Sequence, residues 1–335
     1  MVRFNQDGDL LFSSAKDKSP NVWYNSNGEL LGSYNGHTGA VWCLDVAGER
    51  IQPLLLPSGP HPHAHPFLPL VVADSKQLVT GSADTTAKLW DVETGKELFS
   101  FQHKTSVRAC GFSLGGRELF VVTDKQMGNP AQILVYDIAR TVDQRTFRSI
   151  SCHPHLPPYI YLFLISLSPP EDSEPVAVMD IGDAKVTTAA WGPLNQYIYC
   201  GHENGELSIW DWKLCERMKT HKGHQSPIMD LQFSKERAYF ITASKDMTAK
   251  LFDVNLSELK LYQNDRPLNS ASISPTRDHV ICGGGQEARD VTTTAAKAGK
   301  FEVRFVHKVL QEEIGRVKGH FGPINTVHFH PKGTG

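Results

Sequence analysis

Short apolar stretches follow one another along the chain, and turns rich in Gly, Pro, Asn and Asp separate them. The residues from Glu118 to Thr123, for example, form an apolar run rich in β-branched and aromatic side chains. Runs of this length and composition predict β-strands, whereas the 3.6-residue spacing of amphipathic helices is almost absent. The pattern therefore predicts an all-β fold built from many short strands.

One sequence unit occurs twice with high similarity. Residues 81–91 read Gly-Ser-Ala-Asp-Thr-Thr-Ala-Lys-Leu-Trp-Asp, and residues 243–253 repeat this order with few changes. Weaker copies lie at residues 15–23 and 201–211, and Gly-His pairs precede some units at His37, His224 and His320. The turn acids Glu203 and Asp246 stand 43 positions apart, which fits the period of about 40–45 residues in WD40 blades. The repeat predicts a β-propeller.

Two segments interrupt this repeat, at about residues 47–72 and 148–174. Both are rich in Pro and in apolar residues without strand alternation. We expect both segments to lie outside the propeller. Translated intervening sequence from a gene-prediction error is one explanation for them, and a lineage-specific loop is the other. Unpatterned apolar loops favour aggregation, which makes the first explanation the preferred one.

Several further segments are more specific than the repeat itself. They are Thr123–Gly128, the Gly-Gly-Gly-Gln run that begins at Gly283, the Val-Thr-Thr-Thr run at 291–294, and Gly315–Pro323. With these segments the chain resembles the subunit I family of eukaryotic translation initiation factor 3. The resemblance implies a seven-bladed WD40 propeller, with residues 1–335 as a single domain.

The same resemblance implies a buried hydrogen-bonded chain within some blades. In WD repeats a His, a Ser and a Trp join the turn Asp, and these positions correspond to His37, Ser82, Asp84 and Trp90. In the second copy the corresponding residues are His224, Ser244 and Asp246. Phe252 replaces the Trp there, so we expect that network to be shorter. Satisfied buried networks of this kind make a blade more rigid.

The two ends of the repeat are incomplete by comparison with a seven-bladed ring. We expect the first blade to begin at its second strand, near Asp9, and the last blade to contain only its first strand, Ile324–His330. Two arrangements follow from this interpretation. In the first, the last strand pairs with the first three strands and closes a six-bladed ring. In the second, the ring keeps the curvature of seven blades and a gap remains. We favour the gap because blade packing is adapted to seven blades.

The charge balance and the motifs contain little chemistry. Lys and Arg total 34 and Asp and Glu total 36, for a net charge of −2, which leaves little room for a large basic face. Gly111–Gly115 matches the G-x-S-x-G pattern of hydrolases, but a strand-like run follows where that motif needs a helix. The His-Pro-His-Ala-His run at 61–65 lacks nearby Cys or Asp partners for a metal. We therefore expect no catalytic residues, cofactor or metal site.

The function that we expect rests on the resemblance. It implies a non-catalytic scaffold subunit of initiation factor 3 that supports assembly of the pre-initiation complex on the small ribosomal subunit and mRNA recruitment. Other subunits of that factor, especially its B and G subunits, are the expected partners, with a helix of the B subunit lying on the propeller. We expect a cytoplasmic protein without direct sequence-specific nucleic-acid binding and without membrane contact. The alternative is a WD40 substrate-recognition or signalling adaptor.

Overall fold

The structure of the protein is a computed structural model. It describes residues 1–53, 69–73, 76–126, 128–138, 174–182, 184–285 and 301–333, with the backbone alone at 49–53 and 69–73. The long regular elements in these ranges are all β-strands, as the pattern of short apolar runs predicts. Six four-stranded antiparallel sheets and one separate hairpin contain every strand in these ranges. The fold is therefore an all-β propeller, and each four-stranded sheet is one blade.

The first three blades follow the chain order. Blade one contains β1 (Val2–Phe4), β2 (Leu10–Ser13), β3 (Asn21–Tyr24) and β4 (Leu30–Ser33). A separate hairpin of β6 (Glu49–Pro53) and β7 (Pro69–Ala73) interrupts blade two, which contains β5 (Val41–Val46), β8 (Gln77–Ser82), β9 (Thr86–Asp91) and β10 (Glu97–Gln102). Blade three contains β11 (Val107–Phe112), β12 (Glu118–Thr123), β13 (Ala131–Asp137) and β14 (Ala177–Gly182).

The other three blades follow in the same order, each from four consecutive strands. Blade four contains β15 (Val186–Trp191), β16 (Tyr197–His202), β17 (Glu206–Asp211) and β18 (Glu216–Lys222). Blade five contains β19 (Ile228–Phe233), β20 (Tyr239–Ser244), β21 (Thr248–Asp253) and β22 (Glu258–Gln263). Blade six contains β23 (Leu268–Ile273), β24 (His279–Gly284), β25 (Phe301–His307) and β26 (Glu313–His320).

The first strand of each blade lies innermost, around a central channel. Each of these strands contacts the first strand of the next blade, from β1 through β5, β11, β15 and β19 to β23. Among the described residues, no strand of one blade pairs with a strand of another. Side-chain packing therefore provides most of the contact between neighbouring blades, beside single backbone bonds such as that from the Val41 N–H to the Asp17 carbonyl oxygen. Between blades two and three, for example, the ring centroids of buried Phe101 and Tyr136 lie 4.5 Å apart.

Blade one differs from the sequence prediction. Its first strand is present, because β1 pairs with β2 from Val2 opposite Ser13 to Phe4 opposite Leu11. The expectation that this blade begins at its second strand is therefore wrong. The strand β1 has only three residues, which is too short for the repeat pattern to mark it.

The expected last strand, Ile324–His330, is an extended segment without strand pairing. Propeller strands pair only within their own blade, and the described residues contain no further strand beside this segment. It lies between blades six and one instead. Val327 donates its backbone N–H to Ser270 Oγ at 3.0 Å, and the His330 ring lies 3.0 Å from the Gly8 carbonyl oxygen. This segment therefore occupies the place where we expected a gap.

Two glycines show which position this segment holds. A Cβ on Gly201 of blade four would lie 2.8 Å from Ile228 Cγ2, on the first strand of the next blade. A Cβ on Gly283 of blade six would likewise lie 2.8 Å from Ile324 Cγ2. Both contacts are closer than real Cβ atoms allow, so both positions need glycine. Ile324 thus packs on blade six as the first strand of a blade packs on its predecessor.

The two predicted insertions fall largely outside the described residues. The described part of the first one forms the β6–β7 hairpin, which pairs Glu49 with Ala73 and Pro53 with Pro69. This hairpin joins none of the six blades. Because this segment lacks the alternation of a half-buried strand, the sequence did not predict the hairpin. The second insertion connects β13 to β14 and, apart from Glu174, lies outside the described residues, as does the 61–65 histidine run.

Candidate functional site

A buried chain of polar side chains crosses blade two. The His37 ring places Nδ1 at 2.9 Å from Asp84 Oδ2 and Nε2 at 2.8 Å from Thr80 Oγ1. Trp90 donates its indole N–H to the same Thr80 oxygen at 2.8 Å. His37 lies in the connection before β5, whereas Thr80 and Trp90 lie on the paired strands β8 and β9. The chain of bonds therefore connects a loop to the middle of the sheet.

The protonation states of this chain follow from its surroundings. Burial lowers the pKa of His37, and the neighbouring Asp84 only partly offsets this, so the imidazole is neutral at pH 7. Burial acts to raise the pKa of Asp84, but hydrogen bonds from Thr86, from the Thr38 N–H and from His37 lower it well below its usual range. The pair is therefore a neutral ring beside an ionised carboxylate.

These states fix the direction of every bond. The His37 proton sits on Nδ1, where it is donated to Asp84, and Nε2 accepts the Thr80 hydroxyl proton. The Thr80 oxygen accepts in turn from the Trp90 N–H. Each buried donor in this chain has an acceptor, which is the condition for a buried network to add rigidity. The network therefore stabilises the blade.

The expected serine is not the hydroxyl that joins the histidine to the tryptophan. That position belongs to Thr80, two residues earlier on the same strand. Ser82 Oγ accepts the backbone N–H of Asp84 at 3.2 Å and so shapes the turn between β8 and β9. Both side chains lie on one face of the strand because strand residues two apart share a face. The sequence therefore offers two hydroxyls for one role.

Blade five repeats the arrangement without its last member. His224 places Nδ1 at 2.9 Å from Asp246 Oδ2 and Nε2 at 2.7 Å from Thr242 Oγ1. Ser244 again accepts the N–H of the turn acid, at 3.2 Å. Phe252 offers no N–H to the threonine, so the chain ends there, as the sequence predicts. Burial lowers the pKa of His224 as it does that of His37.

A third network, in blade four, was not predicted. His202 Nε2 lies 2.7 Å from Ser208 Oγ, which also accepts the indole N–H of Trp210 at 2.9 Å. Here the histidine lies on the second strand and the hydroxyl on the third. The Trp-Asp pair at 210 and 211 marks the blade. Its histidine, however, lies on the second strand and not in the connection before the first strand, where His37 and His224 lie. The sequence signal was therefore present in part.

The G-x-S-x-G match lies in a turn between two strands. Ser113 follows β11 and precedes β12, and its hydroxyl donates to Glu118 Oε2 at 2.7 Å. Since a nucleophile elbow requires a helix after the serine, this turn lacks the geometry of a hydrolase site. Among the described residues, no group of three His, Cys, Asp or Glu side chains is placed to hold a metal.

Two cavities open into the central channel. The upper cavity, on the side of the turns between second and third strands, has a volume of about 680 Å³ and is lined by Arg3, Lys16, Arg108 and Lys245, among others. The lower cavity, on the side of the turns between first and second strands, has about 360 Å³ and includes Lys235. Both cavities are concave surfaces of the ring.

Apolar side chains are exposed on the outer strands of two neighbouring blades. They are Leu259 and Leu261 on β22 of blade five, and Ile314 and Val317 on β26 of blade six. Because these blades are adjacent, the two strands form adjacent ridges of the rim. In the described part of the chain, no helix is both long and apolar enough to cross a membrane.

Comparison with known proteins decides the family. A family model described as EIF3I matches residues 157–335, and one described as WD domain, G-beta repeat, matches residues 70–91. Curated proteins named eukaryotic translation initiation factor 3 subunit I, from Nematostella vectensis and Xenopus laevis, are 44% identical over 333 residues. The protein of that name from Homo sapiens is 43% identical. Each alignment covers 99% of this chain and 87% of the relative.

The chain belongs to the eukaryotic translation initiation factor 3 subunit I family. The resemblance predicted from the sequence is thereby confirmed. Of the segments that carried it, Gly283 and Gly284 end β24, and Gly315–His320 lies within β26. The Val-Thr-Thr-Thr run lies outside the described residues.

Proposed function

We propose that this chain is a non-catalytic scaffold subunit of the initiation factor 3 complex in the cytoplasm. In this role it supports assembly of the pre-initiation complex on the small ribosomal subunit and the recruitment of mRNA. The observation that carries the proposal is the alignment of 99% of the chain with proteins named subunit I of that factor. An all-β propeller, with a broad rim and concave faces, suits a protein that binds several partners.

The reactive side chains that we singled out are used within the fold. His37 and His224 each bond a turn acid on one side and a threonine on the other. Their rings therefore have no nitrogen left for proton transfer to a substrate. Ser113, in the hydrolase-like motif, donates to Glu118 within its own turn. These groups support the blades, which favours a scaffold.

The rim of blades five and six supports a helical partner. Leu259 is 48% exposed and Ile314 is 53% exposed, and charged residues stand next to them in sequence, for example Lys260 and Glu313. An amphipathic helix binds such a surface through apolar anchors spaced three or four residues apart. We assign this surface to the helix of the B subunit. The G subunit is the second expected partner.

Ile324–His330 belongs, we propose, to a seventh blade. The sequence Pro-Ile-Asn-Thr-Val-His-Phe at 323–329 resembles Pro-Ile-Met-Asp-Leu-Gln-Phe at 227–233. The two stretches share the Pro and Ile at their start and the Phe at their end. The second of these stretches contains β19, the first strand of blade five. The contact of Ile324 with the Gly283 position supports the same assignment.

Affinity purification of the tagged chain from its native cells tests the proposal. We expect recovery of other subunits of initiation factor 3, including the B and G subunits. Recovery of ubiquitin-ligase or signalling components in their place would overturn it and favour the adaptor alternative. Leu259→Glu is expected to remove the B subunit, because it places a charge among the apolar anchors. Leu30→Glu is the matched control, since Leu30 is also 48% exposed on an outer strand, in blade one.

A further inference from the structure

The upper cavity gathers cationic side chains from separate blades. Arg3 and Lys16 come from blade one, Arg108 from blade three and Lys245 from blade five. Asp230 is the one carboxylate among the described residues that line it. These cations are far apart in sequence and do not follow the repeat period, so no sequence pattern predicts a basic site. The fold places them around one opening.

Part of this positive charge is not neutralised by the lining of the cavity. Lys16 lies exposed in the turn after β2 and forms no ion pair with a described residue. Arg108, by contrast, bonds Asp124 at 2.8 Å, and Lys245 donates to the amide oxygen of Asn269 at 2.8 Å. Lys16 is therefore the cation of this opening that is most available to a ligand.

Two further details show which charges of the upper cavity a ligand can meet. Arg3 lines both cavities, and its Nη1 contacts His328, a residue of the lower cavity, at 3.3 Å. Its guanidinium is therefore engaged on the lower side and is not the cation that a ligand in the upper cavity meets. Asp230 meanwhile accepts hydrogen bonds from Ser270 and from Gln232. The single carboxylate of the lining is thus held by neutral donors and not by the cations.

We propose that the upper cavity binds an acidic peptide segment, with its carboxylate or phosphorylated side chains directed at Lys16. A volume of about 680 Å³ lies within the range of about 300–1,000 Å³ that is usual for ligand pockets. It accommodates a few extended residues. This site is separate from the rim of blades five and six, and the proposal does not depend on the identity of the partner that binds there.

A peptide suits the cavity better than RNA does. Single-stranded RNA binds through aromatic faces on which its bases stack. Trp42, which lines this cavity, is covered by the Arg108 guanidinium at 4.0 Å from its ring centroid. That face is therefore occupied by the protein itself. The cavity is also a recess at the channel and not a groove along which a nucleic-acid backbone extends.

Fluorescence anisotropy on the purified full chain tests the proposal. The probes are a labelled peptide that alternates Glu with Gly, the same peptide with Gln, the same peptide with phosphoserine, and a labelled single-stranded RNA of mixed sequence. The variant is Lys16→Glu, which reverses an exposed charge of the upper cavity. Lys235→Glu is the control, because Lys235 is an exposed lysine of the lower cavity. Urea midpoints for both variants confirm that the fold is intact.

We expect the Glu peptide or the phosphoserine peptide to bind and the Gln peptide not to bind, and their relative affinity tells carboxylate from phosphate. Lys16→Glu should weaken binding by about fivefold or more, since it removes an ion pair and adds a repulsion, and Lys235→Glu should weaken it by much less. Affinity should fall as salt is added. Equal weakening by the two variants, no binding of either acidic peptide, or tighter binding of the RNA would overturn the proposal.

Discussion

The hydroxyl of Thr80 is the centre of the blade-two network, and Thr80→Val removes it with little change of shape. His37 Nε2 and Trp90 Nε1, both at 2.8 Å from that oxygen, then lose their partner inside the protein. A buried polar atom without a partner costs about 1–3 kcal/mol, so two of them cost on the order of 2–6 kcal/mol in the free energy of unfolding.

Two variants serve as internal references. Thr242→Val in blade five leaves only His224 without its partner, because the Phe252 side chain has no N–H. We therefore expect about half of that cost. Ser82→Ala removes one acceptor for the Asp84 N–H at 3.2 Å, and we expect about 1 kcal/mol or less. The order of destabilisation is therefore Thr80, then Thr242, then Ser82.

Urea denaturation followed by tryptophan fluorescence measures this order, with the midpoint and slope recorded for each variant. A loss for Ser82→Ala as large as that for Thr80→Val would refute the assignment of Thr80 as the joining hydroxyl. Equal losses for Thr80→Val and Thr242→Val would show that the Trp90 N–H contributes nothing to the network.

The tryptophan, the buried histidines and the two insertions each support a further test. Trp90→Phe should lower the free energy of unfolding by about 1–3 kcal/mol, whereas Phe252→Tyr should bring no comparable gain, and equal melting temperatures of wild type and Trp90→Phe would contradict this. Burial lowers the pKa of His103 and of His328 to about 4, so the unfolded chain binds more protons between about pH 6.5 and 4. The urea midpoint should therefore fall from pH 7 to pH 5, and equal midpoints would contradict this. Replacing 47–72 and 148–174 with short joins should raise solubility and leave partner recovery unchanged, and loss of the B subunit from the purification would show that the segments are functional.

The repeat pattern was sufficient to predict a β-propeller, for a physical reason, although it did not predict the six complete blades of the described residues. The turn acid, the histidine before the first strand and the tryptophan on the third strand occupy fixed positions in the blade. Asp84, His37 and Trp90 therefore mark blade two, and Asp246 and His224 mark blade five. Their contacts are local to one blade, so their spacing in sequence carries over to their spacing in the structure.

The repeat pattern could not predict features that depend on which residues are neighbours in space. Thr80 and Ser82 share a face of β8, and only the position of the His37 ring decides between them. The strand β1 is three residues long and carries no turn signal. The gathering of Lys16 and Lys245 at one opening depends on the arrangement of the blades, since these residues are far apart along the chain. Sequence periodicity contains no information about such long-range meetings.

The join between the last described segment and blade one has a consequence for synthesis on the ribosome. The contacts that make it, between His330 and Gly8 and between His328 and Arg3, span 322 and 325 residues. At about 5–20 residues per second, roughly 15–65 s pass between translation of the two sides. After its synthesis, blade one therefore has one flank uncovered while the other five blades are translated. Its partner segment arrives after them, so this flank stays uncovered for longer than the flanks between blades that follow one another along the chain.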